Sequence, residues 1–319
     1  MKIHLPNSAF LGNIDSFFRG FDPNDSTILH VTSNKKWISV HPLVLTMIAA
    51  LGQSTHGHVG FEVLQAKSKL YFERMGLFKA LGLRSGISIT EHDPSGRFIP
   101  ITQILNSSSL SEFITDMVPL LHLEPSNAEP IRYIVSELVR NVLEHSESPN
   151  GAFVAAQYYH KSNTIRIGIC DSGVGITKTI RKSHKAIDDL QALRLALTPG
   201  ITGTTPREGG TEQNAGAGLF FVKSIAAVNG DFFGIYSGKA FYKLLRQDRD
   251  KKELLNADPF SDRHSAENNY PYWQGVAIGI DMKLDEHEKF TSLLEHVRTV
   301  YTRAVRERKK GRYKKPIFI

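Results

Sequence analysis

The stretch that decides the fold is Ile165-Arg166-Ile167-Gly168-Ile169-Cys170-Asp171-Ser172-Gly173-Val174-Gly175-Ile176. Its apolar first half, 165–170, reads as a buried strand, so a carboxylate and two glycines sit where that strand ends. A carboxylate held there can accept a hydrogen bond from an exocyclic amine such as that of adenine. The glycines after it let the backbone turn sharply beside a flat ring.

Two further segments belong with it. Upstream, Ile134-Val135-Ser136-Glu137-Leu138-Val139-Arg140-Asn141-Val142-Leu143 keeps helical spacing. Glu137 and Asn141, four apart, therefore share one face, where an amide oxygen beside a carboxylate suits a magnesium ligand and a general base. Downstream, Gly216-Ala217-Gly218 precedes the apolar helical stretch Leu219-Phe220-Phe221-Val222-Lys223-Ser224-Ile225-Ala226. Bare glycine amides at a helix N-terminus can hold phosphate oxygens. Singly, each segment is an ordinary turn or a solvated helix face. Their order makes the case.

That order, helix with Glu-x-x-x-Asn, strand with Asp-x-Gly-x-Gly, long polar loop, Gly-x-Gly opening a helix, resembles the GHKL superfamily of histidine kinase-like ATPases over residues 100–283. The resemblance implies an α/β two-layer sandwich (the Bergerat ATP-binding fold) over 100–285, with ATP and Mg2+ as cofactors. Residues 137–145 resemble the family's N box, which puts Asn141 at the magnesium position and Glu137 at the position of the base. Asp171, Gly173, Gly175 and Ile176 resemble the adenine box. Gly216, Gly218 and Leu219 resemble the phosphate-side box. Residues 178–215 then correspond to the ATP lid, with Gly210 and Thr211 at its glycine-rich end. The family's last box is a Gly-Thr pair, whereas here Gly275-Val276 stands without the hydroxyl. Residues 246–269 are a charged insertion outside the minimal fold.

Residues 1–88 alternate strand and helix. Strands are expected at 28–31 and 59–63, and helices at 42–51 and 68–81, the last containing Met75-Gly76-Leu77. This is a small α/β unit that resembles STAS domains, the fold of anti-sigma factor antagonists. Ser39, before the helix at Pro42, is expected to cap that helix, with phosphoacceptor as the other reading. Residues 89–99, with the Asp93-Pro94-Ser95-Gly96 turn, are the expected linker.

The chain has 319 residues, 41% hydrophobic and 22% charged, enough for two globular domains. No run approaches the eighteen or so apolar residues of a membrane helix and the start lacks a signal-peptide pattern, so a cytoplasmic protein is expected. The single cysteine, Cys170, reads as a packed thiol. His56-Gly57-His58 reads as a loop turn, and the thirteen histidines show no metal-ligand pairing. Residues 298–319 carry nine Lys or Arg against Glu307 alone, a net +8 where the whole chain has +7. Before and within that tail, a helix over 292–308 places Leu293, Leu294, Val297, Val300, Tyr301, Ala304 and Val305 on one side, to dock while its cationic end stays free. Lys and Arg clustered with Tyr313 and Phe318 suit non-specific polyanion contact.

Three functions follow from the resemblance. An ATPase-type switch would use nucleotide to change how the chain binds a protein partner or a second copy of itself. An anti-sigma-type serine kinase is the alternative. A histidine kinase is disfavoured, since His122 lies in a segment ending at Pro125 with no helical hairpin around it.

Overall fold

The computed structural model describes residues 1–35, 37–62, 69–86, 98–121, 125–210, 216–246, 255–284 and 290–312. The chain opens with β1 (Lys2–Leu5), β2 (Ser8–Ala9), α1 (Asp15–Arg19), β3 (Ile28–Ser33), β4 (Ser39–Val40), α2 (Pro42–Ser54), β5 (His58–Phe61), α3 (Lys69–Arg74) and α4 (Leu77–Ala80). It continues through β6 (Phe98–Ile104), α5 (Ser107–Leu121), α6 (Pro125–His145), β7 (Ala152–Tyr159), β8 (Thr164–Cys170), α7 (Gly175–Arg181) and α8 (Asp189–Ala196). Then come α9 (Gly218–Val228), β9 (Phe233–Gly238), β10 (Ala240–Leu244), β11 (His264–Glu267), β12 (Trp273–Lys283) and α10 (Phe290–Arg312).

The centre is a seven-stranded antiparallel sheet in the order β11-β10-β9-β12-β8-β7-β6. Side chains alternate across it as the pleat requires. Ile165, Ile167 and Ile169 of β8 and Ile278, Ile280 and Met282 of β12 enter a core shared with α6, α9 and α10. On the other face, Cys170 and Ala277 enter a core built with residues 1–81. A strand apolar on both sides is what a sheet covered on both sides needs. The mixed α/β class is as expected, but the sheet's second face is covered by the N-terminal unit.

That unit holds a parallel sheet, β1-β3-β5, and the parallel pair β2-β4. Helix α2 is buried from Pro42 to Leu51, apolar all round, and packs on β7, β8 and β12. Its start lands on Gly168, where an added Cβ would lie 2.2 Å from the Leu43 amide nitrogen. Only glycine admits that approach. Phe18 packs on Tyr236 and Phe241 at ring separations of 4.6 and 4.9 Å, so the unit and the sheet share one core. A buried polar bridge crosses the same boundary. The ring of His41 accepts from Leu43 N–H through Nδ1 (3.0 Å) and donates through Nε2 to Asp281 (3.1 Å), whose other oxygen meets Arg166 Nε at 3.4 Å. Arg166 in turn stacks over Phe10 and Tyr159.

Several expectations need correction. Ser39 does not cap α2; it lies in β4, paired with Ser8, and His41 is the cap. The helix expected over 68–81 is two short ones, broken at Gly76, which takes a positive φ of 73°. His58 starts β5 rather than ending a turn. The linker turn, His122, and Tyr313 and Phe318 lie outside the described residues. Phe98 and Ile99 already belong to β6, the edge of the large sheet. Within the insertion, residues 255–269 are described and add the edge strand β11. They also bring Asp262 to Lys223, a fully buried cation inside the apolar face of α9, at 2.5 Å. No described helix is long and apolar enough to cross a membrane.

Candidate functional site

A cleft of about 780 Å3, counted out to its open mouth, lies between α6, α7, α9 and the end of β8. Asp171 forms part of its lining. The residue follows Cys170, which pairs with Ala277 on one side and Phe153 on the other, so the strand carries the carboxylate out of the sheet at a fixed place. Asp171 is 1% exposed. Its Oδ1 accepts from Gly173 N–H at 2.8 Å, whereas Oδ2 has no hydrogen-bond partner among the described residues. Burial pushes this carboxyl up to about 7, and the nearby amides of Gly173 and Val276 oppose that shift without cancelling it.

The turn after Asp171 is pinned from several sides. Val174 N–H reaches Ser146 O at 2.7 Å, and Gly173 lies so close to Ser146 that an added Cβ would sit 2.0 Å from its carbonyl oxygen. Ser237 accepts from Ile176 N–H (3.0 Å) and donates to Gly275 O (2.7 Å). Gln274 donates to Gly173 O. The hydroxyl absent at Val276 is therefore not replaced at the carboxylate, because that of Ser237 serves the backbone instead. The loop is held in place around a carboxylate that is left half-bonded.

Opposite stand α6 and α9. Asn141 lines the cleft, and its buried amide nitrogen has no partner among the described residues. Turned over, the same amide presents its oxygen. Gly218 opens α9 against this face: an added Cβ would lie 2.8 Å from Glu137 Oε2 and 3.3 Å from Asn141 Nδ2. Ala217, at the N-cap of α9, offers no side-chain cap to its first-turn N–H groups. Glu137 is half-buried, and burial raises its carboxyl pKa, with Arg140 pulling it down and Glu144 up.

Of the residues expected here, Asn141, Asp171, Gly175, Ile176, Gly216, Gly218 and Leu219 line the cleft. Gly173 supports it from behind, and Glu137 stands beside it at Gly218. Gly210 is not in the lining: its N–H bonds to Arg207 O (3.0 Å) in a turn that faces α10. Thr211 lies outside the described residues. The segment 178–215 is also no continuous loop, since it contains the end of α7 and all of α8. Asp188 caps α8 by accepting from Gln191 N–H, and Leu193 and Leu197 enter the main core. Sequence reading missed Ser146 and Ser237, while Ile201, Thr202 and Gly203, inside the segment expected as the lid, form one wall of the cleft. Only the loop's approach to α9 reveals that wall.

Among the described residues, no three His, Cys, Asp or Glu converge on a metal. Asn141 could add one oxygen to a cation that arrives with oxygen ligands of its own, the habit of magnesium. The chain matches no protein-family model and no curated protein.

Proposed function

We propose that the cleft binds ATP with Mg2+ and that the chain is a GHKL-type conformational switch, with a STAS-like N-terminal unit, acting on a protein partner or a second copy of itself. The buried Oδ2 of Asp171, unpaired among the described residues, carries this reading. It lacks a donor, and the exocyclic amine of adenine supplies one; guanine presents a carbonyl oxygen at that position and would face the carboxylate with repulsion. Val142, Ile176, Val276 and Ile278 give the site apolar walls suited to a flat ring. The uncapped start of α9 and Asn141 would take the triphosphate and its magnesium. Glu137, its pKa raised by burial, would accept the proton of the attacking water.

The position of Ser39 favours the switch over the serine kinase. Its N–H donates to Asn7 O at 2.8 Å within β4, in a unit bound to the sheet through His41 and Asp281. An acceptor serine has to reach a γ-phosphate, and this one is built into a strand on the sheet's far face.

Calorimetry with Mg-ATP and Mg-GTP tests the reading, together with phosphate release and γ-label transfer. ATP should bind in preference to GTP, and Asp171→Asn should abolish that preference. Glu137→Ala should keep binding while turnover falls about a hundredfold. Equal affinity for the two nucleotides, or none for ATP, would overturn the proposal, and label on the protein would restore the kinase.

A further inference from the structure

The wall of the cleft opposite Asp171 is held from behind by the C-terminal helix. Arg308, near the end of α10, donates through Nε to Glu208 at 3.0 Å and through Nη2 to Pro199 O. One turn earlier Val305 packs on the same loop: a Cβ added at Gly200 would lie 2.5 Å from Val305 Cγ2, and one at Gly209 3.1 Å from Cγ1. These contacts stand one or two hydrogen bonds from the cleft. Gly209 N–H bonds to Gly200 O (2.9 Å), Gly200 N–H bonds to Gly216 O (3.0 Å), and Gly216 lines the cleft with Ile201 and Thr202. Within the cationic stretch expected to stay free, Arg308 is thus tied down, while Arg306, Lys309 and Lys310 are exposed.

The rest of α10 is anchored independently. Val297 is fully buried, Phe290 packs on Tyr133 at 5.8 Å, and Tyr301 packs on Phe221 at 5.9 Å. Tyr133 lies one turn before Glu137 on α6, and Phe221 lies in the first turn of α9, so the strap touches both helices that carry the polar side of the cleft.

We infer that α10 is a strap and Arg308 its latch: while Arg308 spans Glu208 and Pro199, the 199–210 loop is fixed as the cleft wall, and releasing it loosens the wall and speeds exchange of the bound ligand. The second half rests on the ATP reading; the first does not. To the extent that release also weakens binding, linkage requires the converse, that a ligand gripping the wall steadies the latch.

The experiment uses the full chain as wild type, Arg308→Gln and Arg308→Lys, with hydrogen exchange read at the Gly200 and Gly209 amides without nucleotide, then dissociation of a fluorescent ATP analogue. In the glutamine variant, exchange at both amides should rise about tenfold, within the usual range of coupling between sites, while Val297 and Ala304 stay protected. Lysine, which keeps the charge but not the two separate nitrogens that meet Glu208 and Pro199, should fall between. Analogue dissociation should rise by a similar factor. Unchanged exchange at Gly200 and Gly209 would overturn the latch, and loosened amides with unchanged dissociation would overturn its hold on the ligand. If no variant binds the analogue, the ATP reading fails, and the exchange data still decide the latch.

Discussion

Asp171 and Asp281 stand on the two faces of one sheet, and the fold treats them in opposite ways. Asp281, 3% exposed, has both oxygens partnered, one by His41 and the other by Arg166. Asp171, 1% exposed, has one oxygen on a backbone amide and the other on nothing among the described residues. A buried carboxylate without a full set of donors costs folding free energy, so a completed set reads as structure and an incomplete one as a place kept for a ligand. The difference separates a joint from a site.

The joint should give the largest effect. In His41→Ala the Nε2–H donor to Asp281 disappears and a cavity opens under α2, together about 3 kcal/mol. Urea unfolding should show that loss at unchanged ATP affinity for the molecules still folded. A loss under about 1 kcal/mol would mean that aromatic contacts such as those of Phe18 with Tyr236 and Phe241 hold the two regions without help from the bridge.

Two glycines sharpen the same contrast. In Gly168→Ala the new methyl meets the backbone of Leu43 at 2.2 Å, which cannot yield unless α2 moves, so we expect about 2–3 kcal/mol of destabilisation and little change in nucleotide affinity. In Gly218→Ala the obstacle is Glu137 Oε2 at 2.8 Å, the free end of a flexible side chain. That protein should fold within about 0.5 kcal/mol of wild type, yet bind ATP roughly tenfold more weakly, because the methyl would fill the space proposed for phosphate. Equal stability losses from the two substitutions would erase the distinction between the faces.

Much of this was legible in the sequence, for local reasons. Glu137 and Asn141 share a face because they are four apart on a periodic helix, and Asp171 had to leave the sheet where the apolar run of β8 stopped. The limits were also physical. Strand β11 is His264-Ser265-Ala266-Glu267, half-buried throughout and without alternation, so only its pairing with β10 makes it a strand. Helix α8 was hidden because its apolar side is short and its cap, Asp188, looks like any loop aspartate. Lys223 looked like an intrusion in an apolar helix until Asp262 arrived from thirty-nine residues away. The joint itself was invisible: nothing local in His41 announces a partner on β12.

The last effect is the most pointed, because stability and binding should move in opposite directions at one residue. With its pKa near 7 in the folded chain and about 3.9 when unfolded, the Asp171 carboxyl favours folding below pH 4, and that contribution is lost as pH rises through 7. By pH 8 the loss amounts to about 4 kcal/mol. Asp171→Asn never ionises and escapes it, but leaves an amide unpaired in the same spot at a cost of about 1–3 kcal/mol. The variant should therefore be more stable than wild type by about 1–3 kcal/mol at pH 8 and no more stable, or less, at pH 5. ATP binding runs the other way: wild type should bind more tightly above pH 7, where the carboxylate is charged, and the variant should bind weakly at every pH. Thermal unfolding from pH 5 to 8, with and without Mg-ATP, reads both. Parallel pH profiles for the two proteins would show that Asp171 does not titrate in this range, and its likeness to the completed set at Asp281 would then outweigh the contrast.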